Sequence, residues 1–149
     1  MKCCVAAAFA LVAAALAAET NITVSASGDA DFATLDEAIV AANAWAQAQR
    51  WKQIATVEVA PGTYAISTNL QLQGMVVLQG AGRGQTILTG VPEYTNTTAF
   101  LWIKHNKNIV RDLTIANVVM KGGAPIRVEN WATVENVEIR DCVQLQARY

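Results

Sequence analysis

Asn108-Ile109-Val110-Arg111-Asp112-Leu113-Thr114-Ile115-Ala116-Asn117 is followed 24 positions later by Ala132-Thr133-Val134-Glu135-Asn136-Val137-Glu138-Ile139-Arg140-Asp141. Val110, Asp112, Leu113, Ile115 and Asn117 return as Val134, Asn136, Val137, Ile139 and Asp141. A period near 24 built from short β-type runs is the pattern a β-solenoid leaves, because one copy cannot bury its apolar side chains without a neighbour to stack on. Stacking fixes a register. It puts Arg111 over Glu135 and Thr114 over Glu138, at an inter-strand distance of roughly 4.8 Å. Arg111–Glu135 then reads as a cross-strand ion pair, worth under about 1 kcal/mol if exposed, before it reads as a site. Asn117 over Asp141 and Asn106 over Asn130 make a polar ladder at turns, where side-chain amides satisfy backbone groups leaving the strands.

Towards the N-terminus the same kind of run continues. Residues 56–59 alternate and stop at Pro61-Gly62, residues 75–78 stop before Gly80-Ala81-Gly82, and residues 86–88 stop before Gly90. Residues 91–98 are polar and read as a loop thrown out of the stack. Leu101 and Ile103 match Ile126 and Val128 at a spacing of 25, so one residue of drift sits in a turn. The one good helix precedes all of this. Phe32, Leu35, Ile39, Ala42 and Ala46 form an apolar stripe at helical spacing. Thr34-Leu35-Asp36-Glu37 fits a capping box, with the Thr34 hydroxyl accepting from the Glu37 amide. The helix should run from about Leu35 to about Gln49, within a cap of about residues 32–49, and bury its stripe on the open end of the coils, which occupy about residues 54–149. Trp45 and Trp51 pack that cap.

Residues 1–17 read as a secretory signal peptide: Lys2, an apolar alanine-rich stretch and Ala15-Leu16-Ala17 as a cleavage site. The apolar stretch is too short for a bilayer span, so the expectation is a secreted chain, extracellular or at the cell surface, with one domain over 18–149. Losing Lys2 leaves ten basic against twelve acidic side chains, a balance of −2 without a basic block. That excludes nucleic acid as an expected partner. Cys142 is then the sole cysteine and reads as a small buried apolar residue. Asn21-Ile22-Thr23 and Asn96-Thr97-Thr98 are N-glycosylation sequons, meaningful in a eukaryotic host.

Residues 28–39, Gly-Asp-Ala-Asp-Phe-Ala-Thr-Leu-Asp-Glu-Ala-Ile, resemble the opening of pectin-lyase-like right-handed parallel β-helix proteins, where a similar run starts the capping helix. Val57-Glu58-Val59-Ala60-Pro61-Gly62-Thr63-Tyr64, Val77-Leu78-Gln79-Gly80-Ala81-Gly82 and residues 110–117 are similar to successive coils of that superfamily. The resemblance covers roughly residues 24–142, and its motif order is most similar to the N-terminal part of pectinesterases. It implies an all-β right-handed parallel β-helix with an N-terminal capping α-helix, and an acidic or plant-type polysaccharide of the cell wall as partner. Calcium is expected only if the chemistry is lyase-like; otherwise no cofactor is implied. The sequence departs from the pectinesterase pattern where catalysis is concerned. Ile66 stands where a Glu is expected, and Gly123-Ala124-Pro125-Ile126-Arg127 lacks the Gln of the oxyanion segment. The motifs carrying two aspartates and an arginine would follow Cys142, so the chain is expected to be a C-terminally truncated piece of such a scaffold, with no catalytic residue to assign.

The remaining residues suggest contacts rather than chemistry. Trp102, Tyr94 and Trp131 offer aromatic faces that suit the C–H side of a pyranose, and Arg127 lies beside them as a fourth carbohydrate-contact candidate. Trp102 should point opposite to Leu101 and Ile103, which leaves packing and sugar stacking both open. His105 sits in a turn with no orienting partner, Asp29 and Asp31 read as helix-entry residues rather than a calcium site, and no metal-ligating cluster appears. Val137, Ile139, Val143 and Leu145 would leave an uncapped coil edge, open to self-association. Two functions follow: a pectinesterase-like or lyase-like enzyme without its catalytic rungs, or a non-catalytic carbohydrate-binding or adhesin-like module.

Overall fold

A computed structural model describes residues 19–91 and 98–145. Twelve strands and one helix follow one another as β1 (Glu19–Val24), α1 (Leu35–Ala48), β2 (Ile54–Val59), β3 (Gly62–Ile66), β4 (Leu70–Leu72), β5 (Val76–Gly80), β6 (Thr86–Gly90), β7 (Ala99–Ile103), β8 (Asn108–Ala116), β9 (Val119–Met120), β10 (Ala124–Val128), β11 (Ala132–Arg140) and β12 (Val143–Gln144). The protein is mostly β, and every strand pairing among the described residues is parallel. The largest sheet is curled. β1, β2 and β5 lead to the first half of β8, while β3 and β6 lead to its second half. β4-β7-β10 and β9-β12 form two smaller sheets.

The bend in β8 lies at Asp112, which has φ +58°, and the bend in β11 lies at Asn136, with φ +49°. Asn117 (φ +55°) and Asp141 (φ +52°) turn the chain again after each of these strands. Left-handed backbone is costly for most L-residues, and Asn and Asp tolerate it best. The expected Asn117 and Asp141 pair is therefore a pair of corners, and Asp112 with Asn136 forms a second one. Asn136 Nδ2 donates to Asp112 Oδ1 at 2.6 Å, so these corners are also bonded from tier to tier.

Between corners, like stacks on like. Val57, Leu78, Val110 and Val134 pair in one column, and Tyr64, Leu88, Ile115 and Ile139 in another. Leu70-Leu101-Ile126 and Leu72-Ile103-Val128 supply the third side. The earlier members of these columns are buried, whereas Val128, Val134, Ile139, Val143 and Leu145 in the last described tier are exposed. The 24-residue register holds along β8 and β11, and the 25-residue register along β7 and β10. Close packing also fixes one glycine. A Cβ on Gly80 would collide with the Asp112 carbonyl and lie 2.9 Å from Thr86 Cβ.

α1 joins β1 to β2 and buries Leu35, Ala38, Ile39, Ala42 and Ala46. It begins at Leu35, so Phe32 lies ahead of it, half-buried in an isolated bridge with Val24. The expected capping box takes a different form: Thr34 makes no side-chain cap to the backbone, and its hydroxyl donates instead to Glu37 Oε2 at 2.8 Å. At the other end Trp51 N donates to Ala46 O and Arg50 N to Gln47 O, a Schellman pattern built without glycine. Asn43 covers the free edge of β4, its Nδ2 donating to Gln71 O at 2.7 Å and its Oδ1 accepting from Gln73 N at 2.9 Å. This side-chain amide stands in for a missing neighbour strand.

Asn108 is fully buried and fully used. Its Oδ1 accepts from Val76 N at 2.8 Å, and its Nδ2 donates to Leu72 O and His105 O. Asn108→Ala strands buried backbone groups of two tiers at once, so chemical denaturation should show a loss of about 2–4 kcal/mol. A loss under about 0.5 kcal/mol, the range of an ordinary surface change, would contradict that role.

Candidate functional site

The outer face of β4-β7-β10 carries one column of polar and aromatic side chains, Gln71, Trp102 and Arg127, in direct register. Alternation along β7 produces it: Leu101 and Ile103 are buried, and Trp102 points the other way, half-buried. Lys104, two residues on, returns to the same side. Its Nζ lies 3.9 Å from the Trp102 ring centroid, and Arg127 Cζ lies 4.8 Å from it. Both are within cation–π range. Lys104 Nζ also donates to Gln71 Oε1 at 3.0 Å, and Arg127 pairs with Glu129 at 3.2 Å. The Trp102 indole N–H is buried without a hydrogen-bond acceptor among the described residues, so the ring is held by its cations and its packing. What this face presents is two positive charges supported on an indole, with one carboxylate beside them.

The other contact candidates lie apart. Trp131 is 89% exposed in the turn ahead of β11, its backbone tied to Asn106 and Lys107. Tyr94 and Asn96 lie outside the described residues, as does the 1–17 segment. Asn21 is exposed on β1, although the Thr23 hydroxyl of its sequon donates to Asp31 Oδ2. His105 is half-buried rather than free in solvent, stacked at 5.4 Å on Trp51. Cys142 is free and partly buried against the core.

The carboxylates of the outer strand faces are engaged one by one. Arg111 lies 3.7 Å from Glu135, both partly exposed, and holds Gln79 Oε1 as well. Glu138 accepts from Thr114, which in turn accepts from the Gly84 amide. Asp31 accepts from the Thr23 amide and hydroxyl, which hold its carboxyl below the usual range. That bonding, rather than a helix dipole, explains its place. No group of three or more His, Cys, Asp or Glu among the described residues could hold a metal ion. Ile66, where the resemblance expects a Glu, is a core side chain.

Lys104 and the groove residue Asp36 were not singled out from sequence as contacts. For Lys104 the signal existed, since i+2 from Trp102 shares its face. For Asp36 none did, because its groove forms from distant segments. Burial pushes the Asp36 carboxyl up, against the hydrogen bond it accepts from the Thr68 hydroxyl. The folded chain therefore holds this proton longer than the unfolded one, and stability falls as pH rises from about 3.8 through the raised value. Asp36→Asn should remove that fall in denaturation curves taken across the acid range. An unchanged pH profile in the variant would refute the assignment.

Compared with protein-family models, with curated proteins and with solved structures, the chain matches none of them. No helix among the described residues is long and apolar enough to cross a membrane.

Proposed function

We propose that the chain is an exported right-handed parallel β-helix domain of pectin-lyase type that binds an acidic polysaccharide without turning it over. The curled, wholly parallel sheet and the helix covering its first tiers support the fold reading, and crossovers between parallel strands are right-handed in the great majority of proteins. The observation that carries the function is the placement of Lys104 and Arg127 over Trp102. A uronate carboxylate bridges two such cations with charge-assisted hydrogen bonds, and its ring lies along the Trp102 edge and Gln71. The cations occupy the indole face, so recognition on this surface is ionic first and aromatic second. Arg127 then exchanges Glu129 for the sugar carboxylate.

The non-catalytic half of the reading rests on the engaged state of the outer carboxylates. Ester hydrolysis or glycoside cleavage calls for two carboxylates poised for acid–base or nucleophilic work, and Glu135 and Glu138 sit on one strand with separate partners.

Calorimetric titration with polygalacturonate tests the proposal. Binding should weaken as salt rises, and Lys104→Ala or Arg127→Ala should each cost about tenfold in affinity. Equal affinity for a neutral galactan, or no effect of either substitution, would overturn it. Methanol release or unsaturated product from pectin, with or without calcium, would establish turnover in its place.

A further inference from the structure

A groove of about 500 Å³ runs between α1 and the free edge of β4. Its helix side carries Asp36, Asn43 and Gln47, and its sheet side carries Asn69, Gln71 and Gln73. Five of these six are carboxamides, and no cationic side chain lines the groove among the described residues. This is the opposite chemistry to the face beside it, where Lys104 and Arg127 dominate.

The walls are prepared in two ways. Asn43 is locked to the β4 backbone, and Gln71 Oε1 is held by Gln73 Nε2 and Lys104 Nζ. That aims the remaining amide hydrogens of both residues. The side-chain amides of Gln47 and Asn69, by contrast, have no hydrogen-bond partner among the described residues. Trp51 closes one end. The Schellman turn of α1 fixes its backbone, and Gly74 leaves room for its ring, since a Cβ there would lie 2.5 Å from Ala46 Cβ and 3.0 Å from Trp51 Cζ3. Ile39 and Leu70 add an apolar floor.

Each carboxamide offers two donors and an acceptor. A ligand hydroxyl is likewise donor and acceptor together, so a polyhydroxylated ring matches such a wall group by group. A uronate or phosphate meets Asp36 and no cation. A metal ion meets one carboxylate and no second. From this geometry we infer that the groove between α1 and β4 is a second binding site, for a short stretch of neutral sugar, with Asp36 accepting from a pair of ring hydroxyls and Trp51 bounding the ring. The volume lies within the range of small-ligand clefts. The site goes beyond the acidic-sugar reading and stands independently of it, because it shares only Gln71 with the Trp102 face.

Titration of the full chain with neutral tetrasaccharides of galactose and of glucose, followed by the indole resonance of Trp51, provides the test. At least one should bind with a dissociation constant on the order of 1 mM, while tetragalacturonate leaves the Trp51 resonance in place. Asp36→Ala should weaken neutral-sugar binding about tenfold. Gln47→Ala, an exposed helix position that carries no fold contact, should weaken it several-fold and leave polygalacturonate affinity unchanged. Absence of any Trp51 shift with both neutral probes, or full binding in the two variants, overturns the inference and leaves the acidic-sugar proposal untouched.

Discussion

Every tier of this protein must place its inward side chains on those of the tier before, and that constraint governs everything else. The tiers are not equal in length. Ala55 pairs with Val76, 21 residues on, whereas Leu70 pairs with Leu101, 31 residues on. Val77 pairs with Ile109, 32 residues on, and β8 then pairs with β11 at 24. Parallel strands keep their register only if the excess leaves the sheet. Residues 81–85 turn out between β5 and β6, and the longer excess leaves between β6 and β7. Inside, the columns stay unbroken, because a slip of one residue would turn a whole strand's apolar set outward.

The corners carry the second half of the load. Where the chain turns from one sheet face to the next, its backbone groups lose ladder partners and its dihedrals leave the β region. Asp112, Asn117, Asn136 and Asp141 accept the left-handed conformation, and Asn108 returns the missing hydrogen bonds from within the core. Polar side chains are thus part of the frame. The same rule applies at the N-terminal end, where Asn43 satisfies the edge of β4 and so fixes α1 at the distance that opens the groove.

These mechanics explain what could be read from the chain. The echo between residues 108–117 and 132–141 was legible because no loop interrupts those two tiers, and the pairing of Arg111 with Glu135 and of Thr114 with Glu138 followed from it. The earlier tiers hide their period behind looped-out residues. Helix ends were legible to within a residue or so, since the apolar stripe stops where burial stops. The bonding of Thr34 was not, because a hydroxyl beside Glu37 has two acceptors of similar reach. The outward direction of Trp102 could be read from alternation. The groove could not, because it joins residues about 30 positions apart, Asp36 to Thr68 and Asn43 to Gln73, through contacts with no sequence pattern.

The two surfaces so formed differ in charge but share Gln71, and both depend on the tiers lying in the register described. Cysteine cross-linking tests that register most directly. In a chain whose natural cysteines are replaced by serine, Ile109→Cys with Thr133→Cys places the pair on facing positions of β8 and β11, at a separation a disulfide can span. The account predicts rapid, near-complete intramolecular oxidation of that pair and little for Ile109→Cys with Glu135→Cys, one step out of register on the same face. Equal oxidation of the two pairs, or none in the first, would contradict the stacked parallel arrangement from which the rest is argued.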